Sequence, residues 1–253
     1  IIMLKHKLLS GEKTIGSWLT MPSLAISELM AKVGFDWLTI DLEHSSLSIE
    51  QAGEMIRIID LAGVSPLVRL TSNDGNQIKR VMDSGAHGII VPMVKTKGDA
   101  EQAVSSVYYP PKGIRGVGLA RAQNYGIGFH EYRDWLEENA IIIVQIEHID
   151  AVNNLKDILS VDGVDGYIIG PYDLSASLGV SGEFDHSSMI EAMNEIYRVA
   201  TTLGKYGGIH IVEPDTDLLK QSVLEGFTFL AYSVDFRMLD VSARIGMKSF
   251  KEL

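Results

Sequence analysis

The sequence predicts a single (β/α)8 TIM barrel over residues 1–253, an α/β fold in which eight parallel strands close on themselves. Three observations carry that reading. The chain has 253 residues, close to the roughly 250 that such a barrel uses. Short β-branched runs alternate with longer amphipathic stretches all along it, the pattern of a parallel sheet covered by helices. The GxGxxG turn that a doubly wound open sheet places after its first strand is missing.

The first strand is read at 14–20 (TIGSWLT), with helical spacing after it over 23–33. The second, 37–44 (WLTIDLEH), leads into 48–63. There Ile49, Ala52, Met55, Ile56, Ile59 and Ala62 recur three and four residues apart, and Gly63 supplies a stop. Strands follow at 65–70 (SPLVRL) and 88–94 (GIIVPMV), with helices over 76–84 and 97–107. The remaining strands are 141–147 (IIIVQIE), 164–173 (VDGYIIGPYD), 207–212 (GGIHIV) and 227–235 (FTFLAYSVD). Helical patterns at 149–160, 187–203, 214–225 and 236–250 complete eight units. Near-continuous apolar runs of this length suit strands buried on both faces. Residues 109–140 form a long insertion where a few residues usually suffice. It carries some helical pattern near 129–138 and reads either as surface elaboration or subunit contact, or as a substrate-covering element.

Composition excludes several function classes. The chain has no cysteine, so thiolate ligands, disulfides and cysteine nucleophiles are absent. Any metal must be held by Asp, Glu, His or backbone oxygen, which favours hard cations. A net charge of −11 without a dense Lys/Arg run argues against nucleic acid. The opening Ile1-Ile2-Met3-Leu4 is too short for a signal segment, Met3 reads as the natural start, and no apolar run reaches membrane length. A soluble, cytoplasmic protein is expected.

In a barrel the chemistry sits at the carboxyl ends of the strands. Those ends carry His44, Arg69, Gln145, Glu147 and Asp173. Glu213 and Asp235 make the ends of strands seven and eight acidic, which argues against a phosphosugar site there. Strand period two puts Gln145 and Glu147 on one face. A carboxylate carried into a dry mouth needs a cation or a proton. Two carboxylates on neighbouring strand ends, Glu147 and Asp173, can share one Mg²⁺ or Mn²⁺ and leave positions for water and substrate. Each residue also has a plain structural reading. Glu147 could favour a helix start, Asp173 could cap a turn, Arg69 could pair with Asp41 or Glu43, and His44 could be a satisfied edge histidine. His87 and His210 are read as structural. A Schiff-base lysine has Lys95 as its one candidate. Ser175 and Ser177 lie near Asp173 without a GxSxG elbow.

At these residues the chain closely resembles the HpcH/HpaI family of class II pyruvate aldolases, enzymes similar to 2,4-dihydroxyhept-2-ene-1,7-dioate aldolase. The matching stretches are DWLTIDLEH at 36–44, PLVRL at 66–70, GAHGIIVPMV at 85–94, PPKGIRGVG at 110–118, VQIE at 144–147 and VDGVDGYIIGPYDLSASLG at 161–179. The resemblance implies a barrel of the phosphoenolpyruvate/pyruvate superfamily and a divalent ion, Mg²⁺, Mn²⁺ or Co²⁺, on Glu147 and Asp173, with no nucleotide cofactor. It implies that Gln145 supports the site and that Arg69 contacts the pyruvyl oxygens. It further implies that His44 and Asp83 serve proton transfer, that backbone amides at Tyr172 and Asp173 receive the substrate carboxylate, and that Trp18 walls the pocket. A homo-oligomer, trimer or hexamer, with the last helix exchanged between subunits is implied too. Tyr172 departs from the small residue of the family's GPxD turn; its bulk and hydroxyl bear on pocket size and acceptor choice.

The expected reaction is reversible retro-aldol cleavage of a 4-hydroxy-2-oxo acid to pyruvate and an aldehyde. Charge then develops on the former keto oxygen, where the ion and Arg69 meet it. An imidazole such as His44 acts as base near neutral pH. Decarboxylation or citrate-lyase-like cleavage would use the same enolate, and a non-catalytic 2-oxo-acid-binding barrel is the reading from another class.

Overall fold

A computed structural model describes residues 3–253; Ile1 and Ile2, which precede the expected start at Met3, lie outside the described residues. Eight parallel strands close into a barrel in chain order: β1 Thr14–Leu19, β2 Trp37–Asp41, β3 Ser65–Arg69, β4 Gly88–Val91, β5 Ile141–Ile146, β6 Gly166–Ile169, β7 Tyr206–Ile211 and β8 Phe229–Val234. All eight expected strands are present. All eight end earlier than the sequence reading has them, and the reasons are local. β2 stops at Asp41 because its own carboxylate turns back to accept the Glu43 and His44 amides, at 3.0 and 3.3 Å. β6 stops at Ile169 because Pro171 opens a helix at its first position, where proline's missing N–H costs nothing.

The barrel interior is filled by Trp37 and Phe229, stacked 4.1 Å apart, with Leu67, Ile90, Ile143 and Ile168 around them. Gly16 is required there, since a Cβ at that position would sit 2.1 Å from the Trp37 ring. A second apolar shell, between sheet and helices, includes Ile56 and Ile59 of α3 (Ile49–Leu61) and Ile78 of α4 (Gly75–Asp83).

Twelve α-helices occur among the described residues, against the eight expected. One addition is α1, Leu4–Leu9, too short to show a period. It closes the base of the barrel: Leu4 and Leu8 join the interior, and Lys5 and Lys7 reach Asp165 and Asp36 just before strands β6 and β2. The expected helix at 149–160 is two short ones, α7 (Ile149–Asn153) and α8 (Leu155–Leu159). The break falls at Asn154, whose side-chain amide leaves the helix to bond the Lys95 carbonyl at 2.9 Å. α9, Pro171–Ser177, replaces what the sequence suggested was the end of a strand.

The long connection between α5 (Lys97–Val107) and β5 contains a 3-10 turn at Arg121–Gly126 and α6, Phe129–Asn139. It is clasped by Arg115, whose side chain is fully buried, bonded to Asp83 at 2.6 Å and to the Tyr132 hydroxyl at 3.1 Å. Arg121 reaches Asp60 at 2.5 Å. Asp60 and Asp83 lie on the last turns of α3 and α4, which run from the mouth down to the base. The excursion therefore packs low on the barrel, and the substrate-covering reading is not met within this chain.

The last helices are α10 (Ser187–Leu203), α11 (Thr216–Leu224) and α12 (Asp235–Lys251). α12 buries only Asp235 and leaves Leu239, Ile245, Met247 and Phe250 exposed. Among the described residues no helix is long and apolar enough to cross a membrane.

Candidate active site

The register between β2 and β3 places Asp41 directly beside Arg69. The two meet as fork and carboxylate, Nε to Oδ1 at 2.8 Å and Nη2 to Oδ2 at 2.7 Å. Nη1 lies 3.3 Å from Glu43 Oε2, and the guanidinium carbon sits 4.4 Å above the Trp18 ring. The structural pairing that the sequence allowed for Arg69 is real, and it also aims the group: Arg69 lines the cavity at the barrel mouth.

On the far wall, β5 carries Gln145 and Glu147 to the same side, both buried. Gln145 donates its amide N–H to one Glu147 oxygen, and the Met93 backbone N–H donates to the other at 2.7 Å. Met93 holds a left-handed φ of 53°, strain that a β4–α5 turn keeps in order to present this donor. Gly170 is needed opposite, because a Cβ there would come within 2.9 Å of both Glu147 Cβ and Oε2. Asp173 follows in the first turn of α9, exposed toward the cavity, where the helix's free N–H groups favour a carboxylate.

Charge in this mouth is unbalanced. Asp41, Glu43, Glu147 and Asp173 surround a single guanidinium. Burial, reinforced by repulsion from Glu147, Asp41 and Asp173, pushes Glu43 up to about 7 against the pull of Arg69. Burial also raises Glu147, opposed by its bonds from Met93 and Gln145. Glu43 Oε2 and Gln145 Oε1 are buried without an aligned hydrogen bond. Such a set calls for a cation. Glu147 and Asp173 supply hard oxygen donors, but among the described residues no three acidic or histidine side chains form a ready cage. Two carboxylates plus water and substrate oxygens is the arrangement Mg²⁺ accepts, so these residues fit a divalent ion.

The cavity holds about 450 Å³ and is bordered by Trp18, His44, Arg69, Gln145, Asp173 and His210. His44 is largely exposed, its Nε2 3.8 Å from Glu43 Oε2. A larger cavity of about 790 Å³ opens low on the barrel beside Asp60, His87 and Arg121. There the charges are spent on one another, with His87 3.1 Å from Asp60, so size does not make it the site.

Seven of the eight residues named from sequence thus gather at one mouth: Trp18, His44, Arg69, Gln145, Glu147, Tyr172 and Asp173. Asp83 does not join them within one chain. It ends α4, at the opposite end of the barrel, as the counter-charge of buried Arg115. Glu43, expected only as a possible pair for Arg69, and His210, expected as structural, also stand at this mouth. His210 packs on Trp18 at 5.1 Å and contacts the Ser233 carbonyl at 3.1 Å, and burial lowers it to about 4, so it is neutral. Lys95 does not border the cavity. Ser175 and Ser177 are committed to the Tyr172 and Leu174 carbonyls.

A barrel whose mouth joins an arginine fork to buried carboxylates has the equipment of a carbon–carbon lyase. Residues 14–240 match the family model described as HpcH/HpaI aldolase/citrate lyase; the chain belongs to that family and is an aldehyde-lyase type of enzyme. It is 38% identical over 240 residues to a hydroxypyruvate/pyruvate aldolase of Sagittula stellata, covering 94% of each chain. To a 4-hydroxy-2-oxo-heptane-1,7-dioate aldolase of Salmonella typhimurium it is 37% identical, covering 96% of this chain and 94% of that one. The crystal structure of an HpcH/HpaI aldolase from Desulfitobacterium hafniense superposes with a TM-score of 0.91 at 31% identity, over 100% of this chain and 98% of the other.

Proposed function

We propose that the protein is a divalent-metal-dependent aldolase that cleaves a 4-hydroxy-2-oxo acid reversibly to pyruvate and an aldehyde. The observation that supports it best is the gathering of four carboxylates around one arginine fork at the barrel mouth. Glu147 and Asp173 would hold Mg²⁺, Mn²⁺ or Co²⁺, which when bound polarises the keto group and stabilises enolate charge. Arg69, fixed by Asp41, presents its remaining N–H donors to the pyruvyl oxygens as that charge grows. Gln145 holds the Glu147 carboxylate in place. The backbone N–H groups of Tyr172 and Asp173 receive the substrate carboxylate. Trp18 and neutral His210 form a wall that excludes water. His44, at the open side, takes the C4 hydroxyl proton during cleavage and returns it during addition.

The whole chain reads as one barrel domain working as a homo-oligomer, trimer or hexamer, since the apolar face of α12 has no cover among the described residues. Light scattering on the purified protein tests that assembly. The reaction is tested by incubating pyruvate with a panel of aldehydes and Mg²⁺ or Mn²⁺ and identifying the products. Metal-dependent aldol adducts are expected. Full turnover in chelator, with enzyme trapped by borohydride, would overturn the metal reading in favour of a Schiff base. Release of carbon dioxide or a citrate-like product without adducts would select the decarboxylase or citrate-lyase chemistry instead.

A further inference from the structure

The aldehyde is left unnamed by that reading, and the outer wall of the same cavity speaks to its class; this inference rests on the aldolase assignment. The two ends of the cavity are unlike. The inner end holds every group suited to an anion. The outer end is built from Tyr172, Phe184, Ile211, Val212 and Leu218, with Glu213 at its rim. Tyr172 and Phe184 meet edge to face, ring centroids 5.0 Å apart and planes at 86°. They come from the start of α9 and the loop before α10, and both remain open, 63% and 40% exposed. Leu218 from α11 and Val212 after β7 are also open, so an apolar surface contributed by four separate segments faces the cavity without cover.

Its charge decides further. Among the described residues that border the cavity, Arg69 is the one lysine or arginine, and it belongs to the inner end under Asp41. Arg237, behind the rim, is spent on Glu213 at 2.7 Å and Asp240 at 2.5 Å. An aldehyde bearing a carboxylate therefore meets no free lysine or arginine at the outer end, where Arg237 and Glu213 are already paired. A polyhydroxylated aldehyde would set most of its hydroxyls against aromatic and aliphatic carbon, with the Tyr172 hydroxyl, Glu213 and Ser222 as the few polar groups among the described residues there. An uncharged aryl group gains ring contacts and apolar burial at no such cost.

We propose that Tyr172 and Phe184 form an aromatic acceptor subsite that selects uncharged aryl aldehydes over anionic or hydroxylated ones. In the addition direction the pyruvate enolate C3 attacks the aldehyde carbon. The C3–C4 bond forms, the carbonyl electron pair moves to oxygen, and that oxygen takes the proton held at His44. The ring of the aldehyde lies against Tyr172 and Phe184 throughout.

The test measures kcat/KM for addition of pyruvate to benzaldehyde, succinic semialdehyde and glycolaldehyde. Exchange of pyruvate methyl protons with D₂O is followed beside it, since exchange needs the enolate but no acceptor. Benzaldehyde should be preferred by on the order of tenfold or more, as apolar pocket contacts deliver. Phe184→Ala should lower that preference by a similar factor while leaving exchange at the wild-type rate, and Phe184→Lys should turn the preference toward the semialdehyde. The benzaldehyde-to-glycolaldehyde ratio should fall in Tyr172→Ala as well. Normal exchange with a wild-type preference for the semialdehyde or glycolaldehyde would overturn the subsite, as would unchanged ratios in the Phe184 variants. Absence of exchange in the wild type would instead overturn the aldolase assignment beneath it.

Discussion

Replacing Glu147 with glutamine separates the role of a ligand from that of a structural acceptor, and the hydrogen bonds around it set the magnitudes. Both Glu147 oxygens accept, one from the Met93 amide and one from Gln145. Glutamine keeps one acceptor, which can stay on Met93, and turns an NH₂ toward Gln145. The Gln145 amide can rotate to answer it, because its Oε1 is buried with no partner in the wild type. The exchange then trades one hydrogen bond for another and removes a buried charge that Asp173 repels. Stability without metal should therefore stay within about 1 kcal/mol of wild type or rise. With Mn²⁺ at a hundred times its dissociation constant the wild type should gain about 2.7 kcal/mol. In a chain of this size that is a rise of roughly 5–10 °C in Tm. Glu147→Gln should show almost none of it, with turnover lost. Thermal melts of both proteins, with and without Mn²⁺, provide the measurement. An undiminished metal shift in the variant, or a large loss of stability in its absence, would remove Glu147 from the proposed ion site.

Other perturbations read other parts of the same structure. Arg69→Lys keeps the charge but cannot span both Asp41 oxygens and still face substrate; kcat/KM should fall by on the order of a hundredfold or more, measured by steady-state kinetics. Gly170→Ala should blunt the metal response as Glu147→Gln does, because the added methyl displaces that carboxylate. Asp83→Ala strands the fully buried Arg115 charge and should destabilise the fold by about 3–5 kcal/mol in denaturant melts, and a loss under 1 kcal/mol would refute its structural role. His210 ionises near 4 in the fold and near 6.5 when unfolded, so below 6.5 the unfolded chain binds a proton that the folded one does not. Stability is therefore complete above pH 6.5 and falls by up to about 3 kcal/mol on approach to pH 4; His210→Asn should flatten that slope.

Much of the fold was legible because most strands are apolar runs buried on both faces, a pattern that survives without knowledge of its neighbours; β7, YGGIHI and only partly buried, is the weakest of them. The strand-end residues Arg69, Glu147 and Asp173 were legible for the same reason: in a closed barrel, position along a strand fixes which end a residue occupies. Asp83 was not, because its placement depends on which way α4 runs and on a buried arginine 32 residues further on. Glu43 was seen only as a possible pair for Arg69. Its weight comes from carboxylates on other elements, which no local pattern reveals. His210 lies inside a strand, which hides its role, although its spacing of two from Gly208 and Val212 places it on a definite face. α1 and α9, of six and seven residues, are too short for a helical period to emerge.

The Arg69–Asp41 fork has a consequence for how this enzyme can change over evolutionary time. Both residues sit on strands paired in register, so their geometry is a property of the barrel itself and is settled before any ligand arrives. Tyr172, Phe184 and Leu218 stand on a short helix, a loop and an outer helix, where replacement disturbs no strand pairing. Selection can rewrite one end of the cavity while the other stays under the constraint of folding. Divergence in such a lineage should therefore be lopsided, with the arginine end of the cavity inherited and the outer wall drifting freely. The same asymmetry tells a protein engineer where substitutions are cheap.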